Sequence, residues 1–227
     1  MHIEPGIVDA AKIVLSYGTA TAALGATGWL AWSAIRRDGW FALLSRSVLA
    51  TTLVFCFFQV LPHHPVGVSE VHLILGSTLF LLLGPAAAAI GLATGLLAQG
   101  LFFAPGDLPQ YGMNVTILLV PLFLLIALAK KVIPAQTAYV DLTYVQTLKL
   151  SVAYQGGIVA WVAFWAFYGQ GFGAENLASV ALFGSAYLVV VLVEPLIDLA
   201  VLAVAKAMRA SRRSPFLERR LHEAHVA

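Results

Sequence analysis

Residues 113–129, which begin with Met113, form an apolar segment without a charged side chain, MNVTILLVPLFLLIALA. At 1.5 Å rise per residue, a helix of about this length crosses the hydrocarbon core of a bilayer, which is roughly 30 Å thick. Six further apolar segments make the chain an all-α polytopic membrane helix bundle with about seven transmembrane helices. The predicted helices cover residues 7–35, 40–61, 71–83, 86–103, 113–129, 150–168 and 177–205.

Composition supports a membrane protein. The chain has 227 residues, of which 60% are hydrophobic and 11% are charged, whereas soluble domains are about 25% charged. A single cysteine, Cys56, excludes a disulfide framework within the chain. The residues before Lys12 include no Lys or Arg, so the basic start of a cleavable signal peptide is missing. We therefore expect Met1 to be the mature amino terminus.

The third predicted helix is too short to cross the bilayer alone. It ends at Gly84-Pro85, a pair that breaks helices and favours a tight turn. The third and fourth helices are therefore predicted to form a hairpin within the bundle. Short or interrupted helices at membrane depth often line a binding site.

The distribution of basic residues predicts the orientation, because Lys and Arg accumulate in short cytoplasmic loops. If the amino terminus lies outside and the carboxyl terminus lies in the cytoplasm, nearly all Lys and Arg residues lie on the cytoplasmic side. We expect residues 1–208 to form one transmembrane domain and residues 209–227 a basic cytoplasmic tail. The residues on the cytoplasmic side are then Arg36, Arg37, Arg46, Lys130, Lys131, Lys149, Lys206, Arg209, Arg212, Arg213, Arg219 and Arg220.

The nitrogens of Met1 and His2 could together chelate a metal ion. The Met1 amine, the His2 backbone nitrogen and His2 Nδ1 can close a five-membered and a six-membered ring around one cation, and such nitrogen ligands suit nickel, cobalt and copper. The alternative is an ordinary exposed terminus. His72 is a candidate fourth ligand, since a histidine in an apolar run usually faces a partner or cavity. The alternative for His72 is a hydrogen bond to a neighbouring carbonyl.

Other polar residues near His72 are expected to be solvated. His63 and His64 lie in a turn bracketed by prolines, which is typical of a loop. Glu70 is expected to be a solvated loop carboxylate, with a role in tuning or joining the metal site as the alternative.

Several motifs resemble a known family, the CbiM/NikM membrane components of cobalt and nickel energy-coupling-factor (ECF) ABC transporters. The similar stretches are Met1-His2-Ile3-Glu4-Pro5-Gly6, Gly67-Val68-Ser69-Glu70-Val71-His72-Leu73, Leu83-Gly84-Pro85, Gln99 and Asn114. The order of Glu4-Pro5 and the Glu70-Val71 pair before His72 depart from the family pattern. The resemblance covers residues 1–128 well, and the remainder only by hydropathy.

The resemblance implies a substrate-binding transmembrane domain whose metal ligands are Met1, His2 and His72. The transported ligand would be Ni(II) or Co(II), with no tightly bound organic cofactor, in the bacterial cytoplasmic (inner) membrane. Ser69, Gln99 and Asn114 are candidates for orienting the ligands, although each could make an ordinary hydrogen bond. Because ligand nitrogens must lose protons, we expect binding to weaken in acid.

The chain lacks the phosphate-binding motif G-x-x-x-x-G-K-[ST], and no nucleophile–base constellation stands out, so it is predicted not to be an enzyme. The resemblance implies ABC ATPases that hydrolyse ATP and an ECF transmembrane coupling protein as partners, with a small accessory membrane subunit as a further candidate. Lipid is the other expected partner, and no nucleic acid is expected. Gly18, Ala22 and Ala26 recur on one helix face and could dock a partner helix, or could pack within the bundle.

Glu194 and Asp198, four residues apart in the last helix, are a second candidate for function, because carboxylates within a membrane are costly. We expect them to lie near the inner interface and pair with Arg46 or Lys149. The alternative is a proton relay in a stand-alone secondary metal carrier. A third possibility is an accessory or scaffold subunit of a larger complex.

Overall fold

The computed structural model describes residues 3, 8–61, 63–134 and 136–207. Met1, His2 and the predicted tail 209–227 lie outside the described residues. Seven α-helices and one short hairpin, β1 and β2, make up the described fold, together with 3₁₀ turns at Pro105–Gln110 and Tyr139–Asp141. The elements are α1 (Ala10–Asp38), α2 (Trp40–Gln59), β1 (His64–Val66), β2 (Ser69–Val71), α3 (Gly76–Leu83), α4 (Pro85–Phe102), α5 (Tyr111–Val132), α6 (Tyr144–Gln170) and α7 (Ala174–Ala207).

The all-α membrane bundle is confirmed. Within the residues that the structure describes, five segments are long and apolar enough to cross a membrane: Trp40–Gln59, Pro85–Phe102, Pro105–Val132, Tyr144–Gln170 and Ala174–Ala207. α1 has the length to cross, although its Gly, Ser and Thr residues make it less apolar. α3 has only 8 residues, or about 12 Å of helix, so it is too short to cross, as predicted.

Close contacts at two glycines show the relative direction of α2 and α4. A Cβ on Gly91 of α4 would lie 2.3 Å from Ala50 Cβ of α2, and one on Gly95 would lie 2.6 Å from Val54. Both pairs advance by four residues, so α2 and α4 run parallel with their backbones close together. α3 therefore returns part of the way across the bundle before α4 continues in the direction of α2.

The corner between α3 and α4 follows the sequence prediction. Gly84 adopts φ +86° and Pro85 is the first residue of α4. Proline suits the first turn of a helix because its missing N–H has no intrahelical acceptor there. α3 therefore ends before Gly84 and α4 begins at Pro85, so that a single residue separates the two helices.

The β1–β2 hairpin marks one end of the bundle, here called the hairpin end. α2 leads into the hairpin and α3 leaves it. At the same end, Gly112 at the start of α5 lies against Ser16 near the start of α1, and Gly67 of the hairpin lies against Ser179 near the start of α7. α5 is central, since it contacts α1, α4 and α6 and its first turns are buried.

The prediction that the third helix begins at residue 71 is wrong. Val71 pairs with His64 in the hairpin, residues 72–75 are not helical, and α3 begins only at Gly76. Leu75 has a left-handed conformation with φ +52°. Residues 72–75, here called the linker, therefore carry His72 on irregular backbone and not on a helix.

Candidate metal site

Ile3 is held inside the hairpin end of the bundle. Its side chain is buried, with 1% exposure. Its N–H donates to Asn114 Oδ1 at 2.9 Å, its carbonyl accepts from Gln110 Nε2 at 3.3 Å, and it forms an antiparallel bridge with Ser69. The residue that follows His2 in the chain is thus bound on both of its backbone polar groups.

Asn114 and Ser69, predicted to support the ligands, both contact this anchor. Gln110 was not predicted, although its position four residues before Asn114 places both side chains on one face. Gln99 is buried, as expected of a residue facing the interior. Within the described residues, however, Gln99 Oε1 has no hydrogen-bond partner, and no contact joins it to Ile3 or His72.

His72 is buried in the linker with 1% exposure. Its Nε2 lies 2.8 Å from Glu70 Oε2, and its ring is packed between two others. The His63 ring stacks on it at 4.8 Å between centroids, tilted by 14°, and the Phe58 ring lies at 5.2 Å. The side chain is therefore fixed from several directions.

Two expectations for this region are wrong. Glu70 is half-buried and contacts His72, so it is not a solvated loop carboxylate. His63 is also half-buried, because its ring covers that of His72. The hairpin explains both: the short ladder from 64 to 71 folds the proline-bracketed turn back toward the linker.

Ile3 and His72 lie at the same end of the bundle. Ile3 pairs with Ser69, and three residues lead from Ser69 to His72, which is roughly 10 Å of extended chain. Among the described residues, no group of three His, Cys, Asp or Glu side chains could hold a metal ion.

The carboxylates of α7 form a separate buried cluster. Glu194 accepts hydrogen bonds from the Ile74 N–H and from Gln155 Nε2, and Asp198 accepts from the Ser77 and Thr78 hydroxyls. The expected pairing with Arg46 or Lys149 is wrong. Arg46 binds Asp38 at 2.6 Å, and Lys149 is exposed.

The small-residue stripe of α1 faces outward. Gly18, Ala22 and Ala26 are all exposed, and a Cβ on Gly18 would meet no heavy atom within 4 Å. The described residues therefore do not support the interpretation in which this stripe packs within the bundle.

Comparison with known proteins agrees with this architecture. Among solved structures, the chain is similar to one described as the crystal structure of a truncated transition metal transporter, with 17% identity and a TM-score of 0.65 over 94% of this chain and 100% of that chain. Likeness at this identity shows the fold alone. No curated protein matches the sequence. Residues 2–212 match the family model CbiM, cobalt uptake substrate-specific transmembrane region, and the chain belongs to this family.

Proposed function

We propose that this protein is the membrane substrate-binding component of a nickel or cobalt uptake system, and that it captures the cation at an amino-terminal chelate. The proposed ligands are the Met1 amine, the backbone and ring nitrogens of His2, and the His72 ring. The observation that carries the proposal is the anchoring of Ile3, next to His2 in the chain, by Asn114, Gln110 and Ser69.

Glu70 supports His72 as a ligand. A carboxylate that accepts one ring N–H of a metal-binding histidine fixes the ring orientation and increases the basicity of its other nitrogen. The 2.8 Å contact between Glu70 Oε2 and His72 Nε2 has this form. The linker backbone and the stacked His63 ring restrict the same side chain, so that little ordering would be needed when the metal binds.

Basic residues support an orientation with the hairpin end outside. Lys130 and Lys131 at the end of α5 and Lys206 at the end of α7 lie at the opposite end, which the positive-inside rule assigns to the cytoplasm. Capture would then occur on the outer face of the bacterial cytoplasmic membrane. Delivery would need an ECF transmembrane coupling protein and ABC ATPases, because the chain carries no motif for binding ATP.

Metal analysis of purified variants tests the chelate. Native protein should retain close to one Ni(II) or Co(II), whereas one added residue before Met1 should remove the metal, since it converts the terminal amine to an amide. His72→Ala should also lose the metal. His64→Ala is the matched control because His64 lies in the same hairpin but is exposed. Equal metal in the extended and native proteins would contradict the chelate, and equally negligible metal in both would favour an accessory or scaffold role.

A stand-alone proton-coupled carrier is the second candidate. The observation that favours it is that Glu194 and Asp198 are buried in the described fold against uncharged donors. Buried carboxylates of this kind occur in proton relays. Uptake in cells that lack the coupling protein and ATPases separates the two: full uptake would favour the carrier, and its loss the ATP-driven system.

A further inference from the structure

We propose that Glu194 and Asp198 are positioning residues for the metal site, which act by holding the linker in the conformation that presents His72. This inference rests on the proposed function, because it takes His72 as a ligand. It assigns to the α7 carboxylates a role in binding geometry that differs from proton transfer.

Glu194 binds the linker directly. Its carboxylate accepts from the backbone N–H of Ile74, two residues after His72. Ile74 is fully buried, so this N–H would otherwise lack a partner, which is unfavourable for a buried backbone group. The contact spans 120 residues of sequence, and it ties the irregular backbone to a long helix.

The linker needs an external partner because it is locally unfavourable. Leu75 adopts a left-handed conformation that residues with a Cβ rarely take. α3 also has no capping hydrogen bond from the side chain at its own amino terminus, where the first backbone N–H groups lack intrahelical acceptors. Glu194 supplies from α7 an acceptor for the N–H of Ile74, the residue before the N-cap Leu75.

Asp198 continues the same contact one turn further along α7. It accepts from the hydroxyls of Ser77 and Thr78 in the first turn of α3. Residues four apart lie on one helix face, so a single face of α7 holds the linker and the start of α3. The start of α3 is thereby fixed in two places.

The Glu194 side chain is itself held in place. Gln155 Nε2 donates to its second oxygen, and the Tyr187 hydroxyl donates to Gln155 Oε1 at 2.7 Å. All of these donors are uncharged, so hydrogen-bonding capacity, and not a charge, is what the position requires. A glutamine at 194 could still accept from the linker if the Gln155 amide rotated.

His72 is consequently fixed on both sides along the chain. Val71 before it pairs with His64 in the hairpin, and Ile74 after it is bound to Glu194. α7 also supports the hairpin itself, since Gly67 packs against the backbone of Ser179. Loosening the α7 contact should therefore displace the His72 ring from the other metal ligands while leaving those ligands in place.

The test compares Glu194→Leu with Glu194→Gln in full-length protein, using Ni(II) titration and the visible absorption of bound Co(II). Losing a group that orients a metal ligand typically weakens binding by 10–100-fold. We expect Glu194→Leu to bind about tenfold more weakly or worse with an altered spectrum, and Glu194→Gln to stay within about threefold of the native protein. Glu175→Leu, which changes an exposed carboxylate of α7, should bind as the native protein does.

Native affinity and an unchanged spectrum in Glu194→Leu would overturn the inference, even if its melting temperature fell. Weak binding in Glu194→Gln equal to that of Glu194→Leu would also overturn it. If Glu194→Leu does not fold, Gln155→Met replaces it, because this change removes the amide that holds Glu194. Native affinity with an unchanged spectrum in Gln155→Met would then overturn the inference, and so would equally weak binding in Gln155→Met and Glu194→Gln. His72→Ala distinguishes failure of the proposed function from failure of the positioning role. If His72→Ala keeps the metal, the proposed ligand set is wrong. If His72→Ala loses the metal and Glu194→Leu binds as the native protein does, only the positioning role is refuted.

Discussion

Asn114 connects the start of the chain to the centre of the bundle. It lies in the first turn of α5, is buried, and accepts from the Ile3 N–H at 2.9 Å. Neighbouring Gln110 holds the Ile3 carbonyl. Because Ile3 follows His2 directly, we expect the amide of Asn114 to help position His2, one of the proposed ligands.

Replacing Asn114 with alanine should weaken both metal binding and the fold. The Ile3 N–H would lose its acceptor, which costs about 1–3 kcal/mol of stability, and the anchor would loosen, which should lower metal affinity by about 10–100-fold. Isothermal titration with Ni(II) and thermal unfolding in detergent measure the two effects.

Asn176→Ala is the matched control for Asn114. The Asn176 amide donates to the carbonyls of Ala166 and Gly171, away from the anchor. Its replacement should lower stability by a similar amount and leave metal affinity unchanged. Equal losses of affinity in both variants would mean that Asn114 acts only through general stability.

Sequence reasoning identified some of these residues and missed others for a physical reason. Asn114 and Ser69 were predicted to lie near the metal ligands, and both contact Ile3. The partners of Glu194 could not be predicted, because Ile74 is 120 residues away and apolar patterning does not show which helices face each other in a bundle that is hydrophobic on all sides.

At the scale of elements, the hairpin is what places Glu70 and His63 against His72. Its turn residue Gly67 has φ +61°, and a Cβ there would lie 2.2 Å from the Ser179 carbonyl oxygen. Both the backbone conformation and the close approach to α7 require glycine. The hairpin therefore depends on a position with no room for a side chain.

Gly67→Ala should push the hairpin away from α7 and weaken metal binding. A left-handed alanine costs about 1–2 kcal/mol, and the overlap with Ser179 adds the cost of overpacking, typically about 1–3 kcal/mol. We expect affinity for Ni(II) to fall by about tenfold. Gly106→Ala is the control, because that glycine lies in the Pro105–Gln110 turn with no heavy atom within 4 Å of its Cβ position. Native affinity in Gly67→Ala would show that His72 does not depend on the hairpin.

The helices were easier to predict than the irregular segments between them. Hydropathy placed α2 and α4 closely, because a bilayer requires about 20 apolar residues in a crossing helix. The start of α3 was wrong by five residues, since residues 71–75 are as apolar as the helix that follows. Val71 instead pairs with His64 in the hairpin, and the N–H of Ile74 is bound to Glu194.

At the scale of the whole molecule, the exposed surface bears on the partner. Gly18, Ala22 and Ala26 form an uncovered stripe on α1, and small residues at this spacing permit close approach of a second helix. The stripe is exposed, whereas Ile3, His72 and the α7 carboxylates are buried. A substitution there can therefore change assembly with a coupling protein without changing metal capture.

Gly18→Leu should leave metal affinity and melting temperature unchanged but reduce uptake in cells that contain the complete ATP-driven system. A Cβ at Gly18 has no heavy atom of the described residues within 4 Å, so stability should change by no more than about 0.5 kcal/mol, whereas a partner helix at the stripe would be forced outward. Gly156→Leu is matched to it, since Gly156 is also an exposed helical glycine in open space. We expect co-purification of the coupling protein and radioactive metal uptake to fall in Gly18→Leu and to persist in Gly156→Leu. Equal uptake and co-purification in the two variants would place the partner on another face of the bundle.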